Sequence, residues 1–208
     1  MLPPLSNIPE EILSLFTEHG AEHVFHFANR LRLSWLLRHF HPRSVWAAYV
    51  CLNCLLTTGI LAILAVVTQT PFVFPSLGPT AYLFFFSPLA PSAKPRHAIL
   101  GHGIGLLCGY AALWITGTAL SPHGINHGVD WPTVAAAAIS LASTGALMVL
   151  LHVSHPPAGA TTLIVSLGLL SRPKHLLIVE VAVMLLSAQA FSINRLAGLP
   201  YPVWERVE

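Results

Sequence analysis

The sequence predicts an all-α membrane protein of six membrane segments, arranged as two inverted three-helix repeats. The middle helix of each repeat is short or broken, and an N-terminal amphipathic helix precedes the whole. Three observations carry this expectation. First, the 208 residues are 54% hydrophobic and only 9% charged, whereas an ordinary soluble domain carries about 25% charged residues. A chain this short cannot cover so much apolar surface with so few charges in water, and lipid removes the difficulty. Second, the apolar runs follow the order long, short, long, then long, short, long. Third, the two short runs open on similar, breaker-rich motifs.

Residues 1–44 form the first unit, a cytoplasmic or interfacial amphipathic segment. Asn7-Ile8-Pro9-Glu10-Glu11 has the capping residue, early proline and first-turn acids of a helix start. Four acids and the late onset of apolar sequence separate it from a secretory signal. Arg30, Arg32, Arg38 and Arg43, mixed with Leu31, Leu33, Trp35, Leu36 and Leu37, suit anionic headgroups. A solvated helical arm packed on the rest of the chain is the alternative.

Residues 45–198 form the transmembrane domain, and 199–208 a C-terminal tail. A spanning helix needs about 20 apolar residues, which Val45–Thr68, Ala98–Leu120, Thr133–Val153 and Leu176–Leu196 supply. Pro75–Ser87 and Pro156–Leu170 are shorter. The first repeat then covers about 45–120 and the second about 133–196. One motif reads Phe74-Pro75-Ser76-Leu77-Gly78-Pro79-Thr80-Ala81, the other His155-Pro156-Pro157-Ala158-Gly159-Ala160-Thr161-Thr162. Aligned on Pro75 and Pro156, they share Pro-x-x-Gly-x-Thr, and their equivalent places make internal duplication the better account.

Lysine and arginine favour the cytoplasmic side. With six crossings, the N-terminal arginines, Lys94, Arg96 and Arg206 face the cytoplasm, and the N-terminus is cytoplasmic. Arg172 and Lys174 then fall outside, against the rule. Re-entrant short segments would move Lys94 and Arg96 outside as well, so six crossings fit best, with a re-entrant second segment as the alternative. Three crossings per half give the halves opposite orientations.

Irregular chain at membrane depth occurs only inside protein or beside water. Pro75 and Pro156–Pro157 suit the first turn of a helix, so each short helix begins at its motif. Backbone N–H groups around Leu77–Thr80 and Ala158–Thr161 then point out of the helix ends, where hydrogen bonding and the helix dipole favour anions. The expected anion contacts are Ser76, Leu77, Gly78, Thr80, Ala158, Gly159, Ala160, Thr161 and Thr162. Close helix packing through small residues accounts for the same pattern equally well.

His155 stands at the mouth of its helix and is placed in gating or proton movement, since imidazole titrates near pH 6.5; capping of the turn is the alternative. Glu180 lies within a span and is read as proton-linked; its place near the end of the helix, within reach of the headgroups, is the alternative. Arg195 reads as an interfacial anchor or an anion attractor. His97 and His102 flank the start of the Ala98–Leu120 run and are assigned to the interface. His152 and His155 have i, i+3 spacing without a completing ligand, and His123, His127 and Asp130 share a solvated loop. Cys51 and Cys54 read as small apolar side chains on one helix face. The small residues from Ala135 to Gly145 imply close helix contact, within a protomer or across a dimer.

The net charge of +2 and the lack of a basic stripe argue against nucleic acid. No Gly-x-Ser-x-Gly, His-Glu-x-x-His, Walker or dinucleotide motif is present, so no enzyme activity and no cofactor is expected. A small inorganic anion moving across the bilayer is the expected cargo, against a structural or sensory membrane subunit.

The stretch Ser154-His155-Pro156-Pro157-Ala158-Gly159-Ala160-Thr161-Thr162 resembles the signature of the HPP family of integral membrane proteins. Pro75-Ser76-Leu77-Gly78-Pro79-Thr80-Ala81 is similar to that family's other recurrent motif, and the likeness covers roughly Arg43–Leu196. The resemblance implies a bacterial-type inner-membrane protein with relatives in chloroplast envelopes, some associated with nitrite transport. It therefore puts nitrite first among the anions. Members are often described with four membrane helices, a count that omits the two short segments.

Overall fold

The structure is a computed structural model and describes residues 33–70, 72–120 and 128–202. The helix start at Asn7, Arg30, Arg32, His123, His127 and Arg206 lie outside the described residues. Among the described residues seven α-helices follow one another: α1 Leu33–His39, α2 Pro42–Thr68, α3 Leu77–Phe86, α4 Pro95–Ile115, α5 Trp131–Leu150, α6 Ala158–Ser166 and α7 Pro173–Leu196. No strand occurs among the described residues. Four of these helices among the described residues, α2, α4, α5 and α7, are long and apolar enough to cross a membrane.

Each long helix carries proline at its first or second position, namely Pro42, Pro95, Pro132 and Pro173. Proline's fixed φ suits a first turn, and its missing N–H costs no helical bond there. The helices therefore begin two or three residues ahead of the apolar runs and take Arg43, Arg96 and Lys174 into their first turns. Helices α3 and α6 have 10 and 9 residues. At about 1.5 Å per residue each covers roughly half of a bilayer core about 30 Å thick.

Helix α4 is the centre of the fold. More than half of its apolar window, 56%, is buried, against 11% for α2. It packs on α5, α6 and α7, while α7 also packs on α2 and α3. The pairs α2–α3 and α5–α6 complete the bundle, and α1 lies on α2.

Three glycines one turn apart explain how closely α6 approaches α4. A Cβ at Gly105 would stand 2.8 Å from the Ala158 carbonyl oxygen, and one at Gly109 2.7 Å from that of Thr162. A Cβ at Gly101 would meet the His155 Cβ at 2.8 Å. Only hydrogen fits at these positions, so the α6 backbone lies directly on α4.

Two buried polar links tie the rest together. Asn194 of α7 accepts from the Tyr49 hydroxyl of α2 at 2.6 Å and donates to the Phe84 carbonyl of α3 at 3.1 Å. Tyr201 donates from its hydroxyl to the Ala93 carbonyl. Leu199 and Tyr201, assigned to the tail, are thus buried, Leu199 in a cluster with Leu33, Leu37 and Trp46. Leu33 and Leu37 accordingly face protein, while Arg38 is exposed. The Arg195 guanidinium lies 5.6 Å over the Phe191 ring.

Asp130 caps α5 by accepting from the Thr133 backbone N–H at 2.9 Å. Removing a side-chain cap costs about 1 kcal/mol. Asp130→Ala is therefore expected to lower the thermal midpoint in detergent by a few degrees, with Asp130→Asn restoring most of it. Equal midpoints for all three proteins would show that the cap contributes nothing.

Candidate functional site

The two motifs meet on one side chain, and it belongs to neither. His102 of α4 points one ring nitrogen at each motif. Its Nε2 is 2.9 Å from Thr80 Oγ1 and its Nδ1 2.6 Å from Thr161 Oγ1. Thr80 and Thr161 occupy the same position in the shared pattern Pro-x-x-Gly-x-Thr. The glycines beside His102 explain the reach, because Gly101 and Gly105 bring α6 and the turn before it against α4.

His155 joins from the second motif. Its Nε2 is 3.2 Å from Thr80 Oγ1, its Nδ1 2.8 Å from the Ser92 carbonyl oxygen, and its ring centroid 5.0 Å from that of His102. Exposures of 0% for Thr80 and His102, 1% for His155 and 2% for Thr161 put the whole cluster out of contact with solvent or lipid.

Counting donors assigns the protons. A carbonyl only accepts, so His155 carries hydrogen on Nδ1 and offers Nε2 as an acceptor. Thr80 has one hydroxyl proton, shared between His155 Nε2 and the Ser76 carbonyl 3.1 Å away. It must then accept from His102 Nε2–H, and His102 Nδ1 accepts from the Thr161 hydroxyl. The result is a chain running in one direction: Thr161 to His102 to Thr80 to His155 to the Ser92 carbonyl. The opposite tautomer of His102 would leave three acceptors competing for the one Thr80 proton.

Around this chain the expected contacts divide. Ser76 is buried, and its hydroxyl oxygen has no partner among the described residues. It lines, with Thr161, Leu106 and Val179, a crevice too narrow to hold a water molecule. Leu77 is buried in the apolar core. Gly78 faces away, into an apolar cavity of about 390 Å³ lined also by Leu61, Phe74 and Leu186. Ala158 lies against Gly105, Gly159 faces Leu141, and Ala160 is half-buried. Thr162 accepts instead from Thr144 of α5 at 3.1 Å.

The backbone of the second motif differs from the open crown of donors expected for it. The N–H groups of Ala158, Gly159 and Ala160 donate to the carbonyls of His155, Pro156 and Pro157 at 3.0, 3.0 and 3.1 Å. The Pro156–Pro157 turn is tight, so each N–H reaches the carbonyl three residues back and is no longer available to a ligand.

Other assignments change as well. His97 and His102 are buried, not interfacial; His97 Nδ1 accepts from the Ser154 N–H at 3.1 Å and holds the turn before α6. His152 is exposed, with a left-handed backbone at φ 53°, and diverges from His155. Glu180 takes no part in these hydrogen bonds: it stands on α7, with its carboxylate about 4 Å from where a Cβ on Gly103 would stand. Its Oε2 is buried without a hydrogen-bond partner among the described residues.

Comparison with protein families matches the transmembrane region of HPP proteins over residues 39–202. The chain belongs to the HPP family. Comparison with curated proteins and with solved structures gives no match. In this HPP protein the residues of His155-Pro156-Pro157 have separate tasks: His155 ends the hydrogen-bond chain, and the prolines close the turn that starts α6. His102 escaped sequence reasoning because the apolar run was begun at Ala98. Counted from Pro95, it lies seven residues, about 10 Å, into the span, where an ionisable side chain marks a functional position.

Proposed function

We propose that this chain moves a small monovalent anion, nitrite first, across a bacterial-type inner membrane, with its N-terminus cytoplasmic and a second copy as its natural partner. The observation that supports this best is the meeting of Thr80 and Thr161 on opposite nitrogens of His102. Equivalent residues of two motifs converge on one polar centre inside an apolar bundle, and ionisable groups kept at membrane depth usually serve passage of an ion or proton.

The ion's contacts on this reading are hydroxyls and imidazole more than backbone. Ser76, whose hydroxyl has no partner among the described residues, supplies a neutral donor, while Thr80 and Thr161 can turn to the ion only by releasing His155 and His102; a weak, uncharged field suits reversible binding. No chemistry is done on the cargo. The two halves form an inverted repeat of six segments. The packing supports this, because exchanging α2, α3 and α4 for α5, α6 and α7 turns each major helix contact into another. Helix α4 then packs on α5 and α6 as α7 packs on α2 and α3.

The narrowness of the crevice beside Ser76 and Thr161 favours a second reading, a structural or sensory subunit whose polar centre only fixes the packing. Flux separates the two. Nitrite uptake into proteoliposomes at alkaline pH, where unaided passage of nitrous acid is slow, is expected to exceed that of empty liposomes. It is expected to fall to background in Thr161→Val and Gly159→Leu. Folded protein that moves no small anion would rule out transport and leave the subunit reading.

A further inference from the structure

We propose that the groove between the start of α2 and the end of α3 is a binding site for one anionic phospholipid, with the phosphate beside Arg43 and an acyl chain along the rest of the groove. The groove has a volume of about 430 Å³. Arg43, Trp46, Val50 and Cys51 of α2 line it, with Tyr82 and Phe86 of α3. The site does not depend on the transport reading; it needs only a bilayer around the helices.

The lining changes character along its length. Arg43 lies in the first turn of α2, and Cys51 follows eight residues later, about 12 Å along the helix. One leaflet of the hydrocarbon core is about 15 Å thick, so the groove runs from the charged end of the bundle through most of one leaflet. Between the two, Trp46 is 5% exposed, while Tyr82 is 49% exposed and stacks on Phe86 with ring centroids 4.7 Å apart. Indole and phenol rings favour the boundary between headgroups and chains. A cation, then aromatic rings, then small and aliphatic side chains reproduce the order of phosphate, ester and chain in a phospholipid.

The charge at this end of the bundle selects an acidic lipid. Arg43 shares the end with Arg38 of α1, whose Leu33 and Leu37 cluster with Trp46, and with Lys94 and Arg96 at the start of α4. Arg195, in the last turn of α7, joins them. The chain beyond it brings Leu199 to Trp46 and the Tyr201 hydroxyl to Ala93. The acids among the described residues are Asp130, ahead of α5 at the opposite end, and Glu180, within α7 against Gly103. The cations at this end therefore face no acid among the described residues. A second copy seated on the groove in a parallel dimer would bring the same cations of its mate toward Arg43, and they repel it. An anionic headgroup is attracted instead, by about fivefold in affinity for each cation near the membrane surface.

Trp46 reports on the groove. The protein is placed in phosphatidylcholine bilayers that hold a minor share of brominated-chain phosphatidylglycerol or, separately, of brominated-chain phosphatidylcholine; bromine quenches tryptophan at short range. The Trp46 signal is the difference between wild type and Trp46→Phe, since the chain has five tryptophans. Brominated phosphatidylglycerol is expected to quench it at a share about fivefold lower than brominated phosphatidylcholine. Arg43→Gln is expected to bring the two curves together. Arg38→Gln, at an exposed residue outside the groove, is expected to leave them apart. Equal quenching by the two lipids in wild type would reduce the groove to ordinary lipid contact. No quenching by either would mean that protein covers it, and equal loss of preference in both arginine variants would assign it to the charge of the whole end. Each of these three results overturns the site. Native mass spectrometry of wild type in detergent needs no variant. One phosphatidylglycerol kept per chain supports the site; retention of no lipid, or of phosphatidylcholine equally, sinks it.

Discussion

Gly109→Ala is expected to destabilise the protein more than any other single methyl group added to it. The new Cβ would stand 2.7 Å from the Thr162 carbonyl oxygen and 2.8 Å from the Val165 Cβ. Neither is the far end of a flexible side chain, so relief requires α6 to move away from α4. Overpacking of this kind costs about 1–3 kcal/mol, and for a chain of this size each kcal/mol lowers the midpoint by about 2–4 °C. The shift also pulls on the 2.6 Å bond between Thr161 and His102, so, on the proposed function, anion uptake is expected to fail before folding does. Gly145→Ala is the control: nothing lies within 4 Å of its Cβ, and the gain in helix propensity is worth up to about 1 kcal/mol. Thermal unfolding of the two variants in detergent, read beside wild type, is expected to move in opposite directions. Equal midpoints for Gly109→Ala and wild type would mean that α4 and α6 are not in backbone contact.

Gly101, Gly105 and Gly109 also mark what the sequence alone could and could not convey. Their four-residue spacing is visible in it, and so are the four long spans, because lipid admits few ways to hide a backbone and apolar length reads directly as crossing. Helix starts were missed by two or three residues. The apolar count rejects charged first turns, whereas the prolines at 42, 95, 132 and 173 mark those turns by a different physical cause, the absent N–H. Thr80 and Thr161 were found through the repeated motif. His102 was not, because its role depends on which helix lies between the motifs, and that is a property of packing. The engaged N–H groups of Ala158, Gly159 and Ala160 were equally out of reach: proline permits a first helical turn, but the tightness of the turn decides whether the N–H groups stay open.

Thr80→Val and Thr161→Val are expected to be strongly non-additive. Each substitution keeps the size of the side chain and removes one hydroxyl from a buried cluster, leaving an unpaired polar atom that costs about 1–3 kcal/mol. Without Thr161, His102 Nδ1 has no donor. Without Thr80, His102 Nε2–H has no acceptor and His155 Nε2 no donor. After either loss the His102 ring is held at one end only and can turn toward whatever partner remains. The second loss therefore breaks a bond already weakened, and the double variant costs less than the two singles together. A coupling of about 0.5–3 kcal/mol is the range for residues in one network, while independent sites add to within about 0.3–0.5 kcal/mol. Thermal or denaturant unfolding of the four proteins in detergent closes the cycle. Strict additivity would mean that the two motifs hold separate sites and that no ring joins them. Serine at either position is expected to restore both the stability and the coupling, since the hydroxyl, and not the methyl group of threonine, makes the bond to His102.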